Sequence, residues 1–349
     1  MSQRIKVAVV GASGYSGREL LRLLLSHPHA EIVAVTSRQL AGKPLTSEFP
    51  RFRGHPVADT LKFMLPEVAA IAATGATVAF LALPHGLAHE FALPLLDAGL
   101  RVIDLSADFR LRDASVYEEF YGHQHPAPPL LKEAVYALPE IKGDSVLGAR
   151  LIACPGCYPT SVLVPLVPLL RAGLLADSPI SVSSMSGVSG AGRKESIPFL
   201  FCECNESVRS YSVPKHRHLS EIGQELDLAA GRKVRLSFVP HLVPVNQGIC
   251  TTIFAQPRDG VTLAQVSEAY TAAYAGRPFV RLLGPNQSAD TKNVTGTNFV
   301  DVGWSLDERA GQLILMSAED NLVKGASGQA LQNFNLAHGF EETAGLMVF

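Results

Sequence analysis

The sequence predicts an α/β protein of two domains: a doubly wound parallel sheet first, then an α+β domain with a mostly antiparallel sheet. Three observations carry this reading. Short β-branched runs alternate with helical patterns through the first half of the chain, as in a parallel sheet covered on both faces. Gly11, Gly14 and Gly17 separate the first such run from the first helix, the place of a tight strand-to-helix turn. Beyond Cys157 the runs lengthen and alternate with polar residues, the mark of strands with one open face.

In chain order, Ile5 to Val10 reads as a buried strand and Gly17 to Ser26 as a helix. Strands follow at Ile32 to Thr36, Val78 to Leu83, Val102 to Leu105 and Leu151 to Ala153. The stretch 41–75 has no period that assigns it a fold. Residues 122–130 are rich in Ala, Gly and Pro and read as a loop. In the second domain, Ile180 to Ser184, Lys233 to Val239, Ile249 to Ala255, Val300 to Leu306 and Gln312 to Ser317 read as strands. Helices are expected at Ser220 to Leu226 and Thr262 to Tyr274. A last helix, Asn321 to His338, packs back on the first domain in this reading, which therefore comprises 1–156 with 320–349, leaving 157–319 for the second.

The chain has 349 residues, 47% of them hydrophobic and 18% charged, enough for two buried cores and too apolar for a disordered chain. A net charge of -2 excludes a broad surface built to neutralise nucleic-acid phosphates. The opening MSQRIKVAVVGASGY has no signal-peptide pattern. The longest apolar stretch, Ser161 to Leu175, is broken by Pro165, Pro168 and Arg171, so no membrane span is expected. Five dispersed cysteines argue against a disulfide framework and for a reducing compartment. The expected location is the cytoplasm.

The first turn, G-x-x-G-x-x-G, is a variant of the dinucleotide fingerprint. Glycines allow the chain to approach a pyrophosphate, and the helix N-terminus offers N–H groups and partial positive charge. The expected cofactor contacts are Gly11, Ser13, Gly14, Tyr15, Ser16 and Gly17. The second strand ends in Thr36-Ser37-Arg38, without the acid that binds a ribose 2′-hydroxyl in NAD sites. A hydroxyl and a guanidinium suit a 2′-phosphate, so Ser37 and Arg38 point to NADP. Pro84 and His85 follow the Val78 to Leu83 strand, at the carboxyl edge of the sheet, where such cofactors lie.

Ala153-Cys154-Pro155-Gly156-Cys157-Tyr158-Pro159 is the segment richest in chemistry. Pro159 suits a first helical turn, which puts Cys157 at a helix N-terminus, where thiolate is favoured. A thiolate there attacks an activated acyl carbon while backbone N–H groups hold the oxyanion. The spacing is also C-x-x-C, as in thiol redox proteins, and zinc binding with Cys202 and Cys204 is a further reading. Cys154 and Cys250 read as buried structural cysteines. Lys215-His216-Arg217-His218 with Glu221 supplies candidate bases, phosphate-philic cations and an acid to orient a histidine; a histidine metal site is the alternative.

With those residues in place, the chain resembles the N-acetyl-gamma-glutamyl-phosphate reductases of arginine biosynthesis over essentially its full length. The motifs are GASGYSG, ALPHG, VIDLSADFR, PGCYPTS, SGVSGAGRK, HRH-x-x-E, GTNFVD and DNLVKGASGQALQN, in that order. The resemblance implies a semialdehyde dehydrogenase-like fold, similar also to glyceraldehyde-3-phosphate dehydrogenase. It joins a Rossmann-like NADP-binding domain to an α+β domain for catalysis and subunit contacts. It also implies NADPH, an acyl-phosphate substrate and a homodimer or homotetramer. Carried over by position, Cys157 is the nucleophile, and one of His216 and His218 the acid/base. His218 is favoured because Glu221 lies three residues beyond. Asn321 joins the cofactor contacts. Arg110, Ser186, Gly187, Arg193 and Lys215 become substrate contacts, with Lys194 and the rest of the Ser186 to Gly192 turn lining the cleft. Ser220 stands where the family often has Pro, which alters a helix start and no chemistry.

Two other functions compete. The sister enzymes of lysine biosynthesis act on a carrier-bound aminoadipyl or glutamyl phosphate and carry Asn-Ala after the cysteine, where this chain has Tyr158-Pro159. A non-catalytic NADP-binding redox sensor would keep the glycine turn and need neither Cys157 nor the histidines.

Overall fold

The computed structural model describes residues 4–193 and 195–347. The chain forms two compact units. The first comprises the residues up to Ala114, Gln124–Pro155, and those from Ala326 on; the second comprises Ser115–His123 and Gly156–Gly325.

Seven strands build the first unit: β1 (Ile5–Val10), β2 (Ala30–Thr36), β3 (Phe63–Met64), β4 (Val78–Leu81), β5 (Arg101–Asp104), β6 (Val135–Tyr136) and β7 (Leu151–Ala153). Their order is β3-β2-β1-β4-β5-β7-β6, and every pairing is parallel. The chain order reverses between β1 and β4, where a doubly wound sheet opens its ligand crevice at the carboxyl ends of the strands. β1 and β4 are apolar on both faces, with Val7 to Val10 and Val78 to Leu81 all buried, as helices on both sides of a parallel sheet require. The helix Tyr15–Leu25 starts one turn's glycines after β1.

The stretch 41–75 folds into a helical turn (Leu45–Glu48), a 3-10 turn (Pro50–Phe52), β3 and a helix (Val68–Ala73). Phe49, Phe52 and Phe63 pack together there, a contact without periodicity. The loop expected at 122–130 is shorter, because Pro128 and Pro129 open a helix, Pro128–Glu133. The last helix also starts later than expected. Asp320 accepts N–H bonds from Leu322 and Val323, and its carbonyl accepts from Gly325. The chain therefore makes a π turn over Val323–Ser327 before the α-helix Gly328–Ala337. That helix packs in the first unit, with Phe334 against Phe80.

The second unit has β8 (Ile180–Ser186), β9 (Arg209–Ser210), β10 (Leu236–Leu242), β11 (Ile249–Ala255), β12 (Val280–Pro285), β13 (Val300–Asp307) and β14 (Gln312–Glu319). Their order is β12-β13-β14-β11-β8-β10-β9. The sheet is mostly antiparallel, with parallel pairs only at β8/β10 and β12/β13. β10 starts later than the Lys233 expected from sequence. Gly231 ends the preceding helix, and the Asp227 side chain accepts from the N–H of Val234, which holds this connection as a turn.

One face of this sheet carries the helix Cys157–Arg171, buried from Tyr158 to Leu170. A hydroxyl seam joins them: Thr251 bonds Ser161 and Ser184 at 2.8 and 2.7 Å. Two helices, His218–Ala230 and Leu263–Tyr274, flank it; the second begins with a capping box of Thr262 and Gln265. The other face is open: Met185 is 46% exposed and Phe254 40%. Cys250 points to that face and is half-buried, so the buried structural cysteine expected there is corrected by the strand's alternation. No helix among the described residues is long and apolar enough to cross a membrane.

Candidate active site

In the first unit the glycine turn is built by close approach. Gly11 has φ +84°, and a Cβ there would stand 2.6 Å from the Ala82 carbonyl oxygen. A Cβ on Gly17 would lie 2.7 Å from the Ala12 backbone, so only glycine seats the helix against the strand end. Gly14 is the extended N-cap residue of Tyr15–Leu25, with no side-chain cap, which leaves first-turn N–H groups facing outward for an anion. Tyr15 lies under the Arg18 guanidinium, and the Ser16 carbonyl accepts from the Ser327 hydroxyl. The end of β2 is tied to the turn: Gly11 N–H donates to Thr36 Oγ1 at 3.3 Å, and the Ser37 hydroxyl to that of Ser13 at 3.3 Å. Arg38 reaches outward, 60% exposed, and pairs with Glu90 at 2.7 Å. Pro84 and His85 are exposed at the tip of the next loop.

Arg110, expected to meet substrate, lies in the segment that follows β5. It is buried, with Nε donating to the Cys154 carbonyl at 2.8 Å and Nη2 to that of Leu105 at 3.0 Å. These bonds brace two strand ends. Cys154 is buried too, accepts from Asn333 Nδ2, and has its thiol pushed up to about 12 by burial. A thiol held protonated this firmly is a poor partner for C-x-x-C exchange.

In the second unit, Gly156 is the extended N-cap residue and Cys157 the first residue of the helix Cys157–Arg171. The sequence dictates this start, since Pro159 fits the first turn without a donor. Cys157 is half-buried. Glu221, buried in the facing helix His218–Ala230, divides its carboxylate. One oxygen accepts the Gly156 N–H at 3.1 Å, and the other lies 4.0 Å from His218 Nε2. That helix starts two residues before the expected Ser220, so His218 occupies its first turn.

The two histidines differ in surroundings. His216 Nδ1 accepts the His218 backbone N–H at 3.1 Å, and its ring meets Tyr158, Tyr211 and Phe238 edge-on. Burial, then the Arg217 guanidinium, pulls the His216 imidazole down to about 4. It is neutral near pH 7. The Tyr158 and Tyr211 hydroxyls bond at 2.9 Å, and burial pushes Tyr211 up to about 12, with the nearby Cys157 adding to the rise.

The remaining expected residues divide. The Ser186 hydroxyl donates to the Gly187 carbonyl at 3.1 Å. Gly187 N–H bonds the Gly248 carbonyl. Asn321 accepts from Gly248 N–H at 2.8 Å and donates to the Ser189 hydroxyl at 3.0 Å, so it shapes the Ser186–Ser189 turn. Arg193 is exposed at the end of that turn, and Lys194 lies outside the described residues. Lys215 pairs with Glu119 at 3.0 Å and sits over the Phe120 ring.

Two contributors were not singled out from sequence. Tyr211 stands alone in a polar loop, and only the pairing of β9 with β10 brings it in. Gly325 backs directly onto Cys157: a Cβ there would lie 2.7 Å from Cys157 Cβ and 3.1 Å from Glu319 Oε1. The repeated small residues of Lys324-Gly325-Ala326-Ser327-Gly328 were its signal. Among the described residues no cluster of side chains suits a metal ion.

Comparison with known proteins agrees with this architecture. Residues 6–149 match the family model for the semialdehyde dehydrogenase NAD binding domain, and residues 157–321 that for the semialdehyde dehydrogenase dimerisation domain. The chain is 61% identical to an N-acetyl-gamma-glutamyl-phosphate reductase of Akkermansia muciniphila over 99% of both chains. It is 48% identical to one of Nitrosococcus oceani over 98% of both. Among solved structures it is similar to aspartate semialdehyde dehydrogenase II of Vibrio cholerae complexed with ASA, with TM-score 0.72 and 19% identity over 97% of this chain and 99% of that one. A similar likeness holds to the Candida albicans aspartate semialdehyde dehydrogenase with NADP, with TM-score 0.71 and 17% identity over 96% and 99%.

Proposed function

This chain belongs to the N-acetyl-gamma-glutamyl-phosphate reductase family, and from that premise we propose that it reduces N-acetyl-L-glutamyl 5-phosphate to N-acetyl-L-glutamate 5-semialdehyde and phosphate, in arginine biosynthesis. The observation that carries the reading is Cys157 at a helix N-terminus, beside a carboxylate shared between Gly156 N–H and His218. The carrier-linked aminoadipyl reading is not favoured, because these full-length relatives bear the arginine-pathway name.

The first unit fits a nicotinamide dinucleotide: Gly11 and Gly17 leave a cradle that side chains would fill, at an uncapped helix N-terminus. Gly14, Tyr15 and Ser16 hold the pyrophosphate, with Ser13 behind them. Ser37 and Arg38 hold a 2′-phosphate, Arg38 exchanging Glu90 for it, so the cofactor is NADPH. Pro84 and His85 line its nicotinamide end. Bound there, it supplies the hydride that takes a thioester to the aldehyde level.

Cys157 does the covalent work. Its thiolate attacks the acyl carbon, the carbon–oxygen bond to phosphate breaks, and phosphate leaves with the electron pair. The thioester keeps the acyl group tethered. N–H groups of the first helical turn receive the oxyanion. His218, steadied by Glu221, protonates the oxygen that develops and removes that proton as the carbon–sulfur bond breaks and aldehyde forms. His216, neutral and boxed by aromatic rings, sets the backbone of His218. Ser186, Gly187, Arg193 and Lys215 receive the substrate's polar groups, and Arg110 steadies the strand that leads to Cys157.

The open face of the second sheet is the subunit contact of a homodimer, on which a tetramer builds. Five cysteines outside any disulfide suit the reducing cytoplasm. The test is the reverse reaction. N-Acetylglutamate semialdehyde, phosphate and NADP should yield NADPH only when all three are present. NAD should serve far less well, by roughly tenfold or more if Arg38 meets the 2′-phosphate, and Arg38→Ala should erase that preference. Activity that ignores phosphate contradicts the reading.

A further inference from the structure

The Val102–Arg110 segment, VIDLSADFR, carries polar side chains that the proposed chemistry does not use. Asp104, Ser106 and Asp108 are at most 1% exposed. Buried charges are retained only where they are bonded and serve a purpose. Asp108 has such bonds, and they point at one place. Oδ1 accepts the Gly86 N–H at 2.7 Å, and Oδ2 the Ala88 N–H at 2.9 Å. One carboxylate therefore grips two N–H groups on the returning side of the loop that follows β4, directly after its tip. Gly86 sits at φ +81°, a conformation that other residues rarely adopt, so the loop needs an external hold.

Asp108 is itself fixed on every side. Its N–H donates to the Ser106 hydroxyl at 3.1 Å, which donates in turn to Asp104 at 2.8 Å. Its carbonyl bonds His125 Nε2 at 2.8 Å. His89 Nδ1 lies 4.0 Å from Oδ2. The tip of the gripped loop is Pro84-His85, and both residues are exposed.

We propose that Asp108 is a positioning residue for the cofactor: by holding Gly86 and Ala88 it presents Pro84 and His85 in the shape that the nicotinamide end of NADPH requires. This rests on the function proposed above, in which that loop meets the dinucleotide. Charge is part of the device. A carboxylate accepts at both oxygens, whereas an amide of the same size turns one NH2 group against a backbone N–H.

The experiment is NADPH titration by fluorescence with wild-type protein, Asp108→Asn and Gly86→Ala, together with steady-state kinetics and the rate of Cys157 alkylation. A Cβ on Gly86 meets nothing within 4 Å, so that variant disturbs only the loop's backbone shape and carries the test if Asp108→Asn fails to fold. The expected result is at least tenfold weaker NADPH binding in each folded variant and a matching rise in its KM. Cys157 alkylation should stay within twofold of wild type, which a general loss of structure would not permit. Unchanged NADPH affinity in Gly86→Ala, or in a folded Asp108→Asn, overturns the inference. Failure of the wild type to bind NADPH would instead remove the proposed function.

Discussion

Glu221 is the residue on which the candidate site turns, because a single buried carboxylate serves both the peptide before Cys157 and the ring of His218. The neighbouring histidines are thereby separated in role. His216 is neutral near pH 7 and enclosed by rings, while His218 faces the carboxylate. His218→Asn should lower kcat by about 10²- to 10⁴-fold, the usual worth of a general acid/base. His216→Gln should cost less in kcat and more in thermal stability. Equal losses of kcat in the two variants would contradict the division. Cys157, the histidine pair and Glu221 were legible because their chemistry is written in residue type and spacing. Tyr211 was not, since a lone tyrosine leaves no periodic trace, and the run of small residues around Gly325 does not say what packs against it.

Among the elements, strands were the most legible and helix starts the least. β1, β7 and β11 lie where hydrophobic runs place them, because burial alone decides them. The helix starts at 218 and 328 are set by side-chain and turn hydrogen bonds at Arg217 and Asp320, which compete with helix propensity locally. The open face of the β8–β11 sheet belongs to this scale as well. Alternation along β8 and β11 puts Met185 and Phe254 outward, and exposed apolar faces of this kind mark contact surfaces. Phe254→Lys should convert the oligomer to monomer in sedimentation velocity runs without unfolding it. An unchanged sedimentation coefficient would place the contact elsewhere.

For the whole molecule, two units with separate cores were visible as a change from buried to half-polar strands. The packing of Ser115–His123 with the second unit was not, since contacts such as Lys215 with Glu119 join residues far apart in sequence. Stability against acid is also a property of the whole. Burial holds His27 and His216 at about 4, below the ordinary 6.5, and lowers His125 and His338 as well. Between 6.5 and 4 the unfolded chain binds protons that the folded one refuses, so stability present above pH 6.5 is lost as pH falls toward 4. Asp104, raised to about 7 by burial and then by Asp108, acts oppositely: its contribution is present below pH 3.8 and lost as pH rises toward 7. With four histidines against one aspartate, Tm should fall between pH 6.5 and 4. A Tm that rises over that interval would contradict this balance.

Turnover through Cys157 requires a covalent acyl group on its sulfur, which intact-protein mass spectrometry detects. Mixed with N-acetylglutamyl phosphate in the absence of nucleotide and quenched in acid, the wild-type chain should gain the mass of one N-acetylglutamyl group. The adduct should map to the Cys157 peptide, disappear on adding NADPH, and be absent from Cys157→Ala, which should also lose turnover by about 10³-fold or more. An adduct on another residue, or Cys157→Ala turning over near the wild-type rate, would contradict acyl transfer through Cys157.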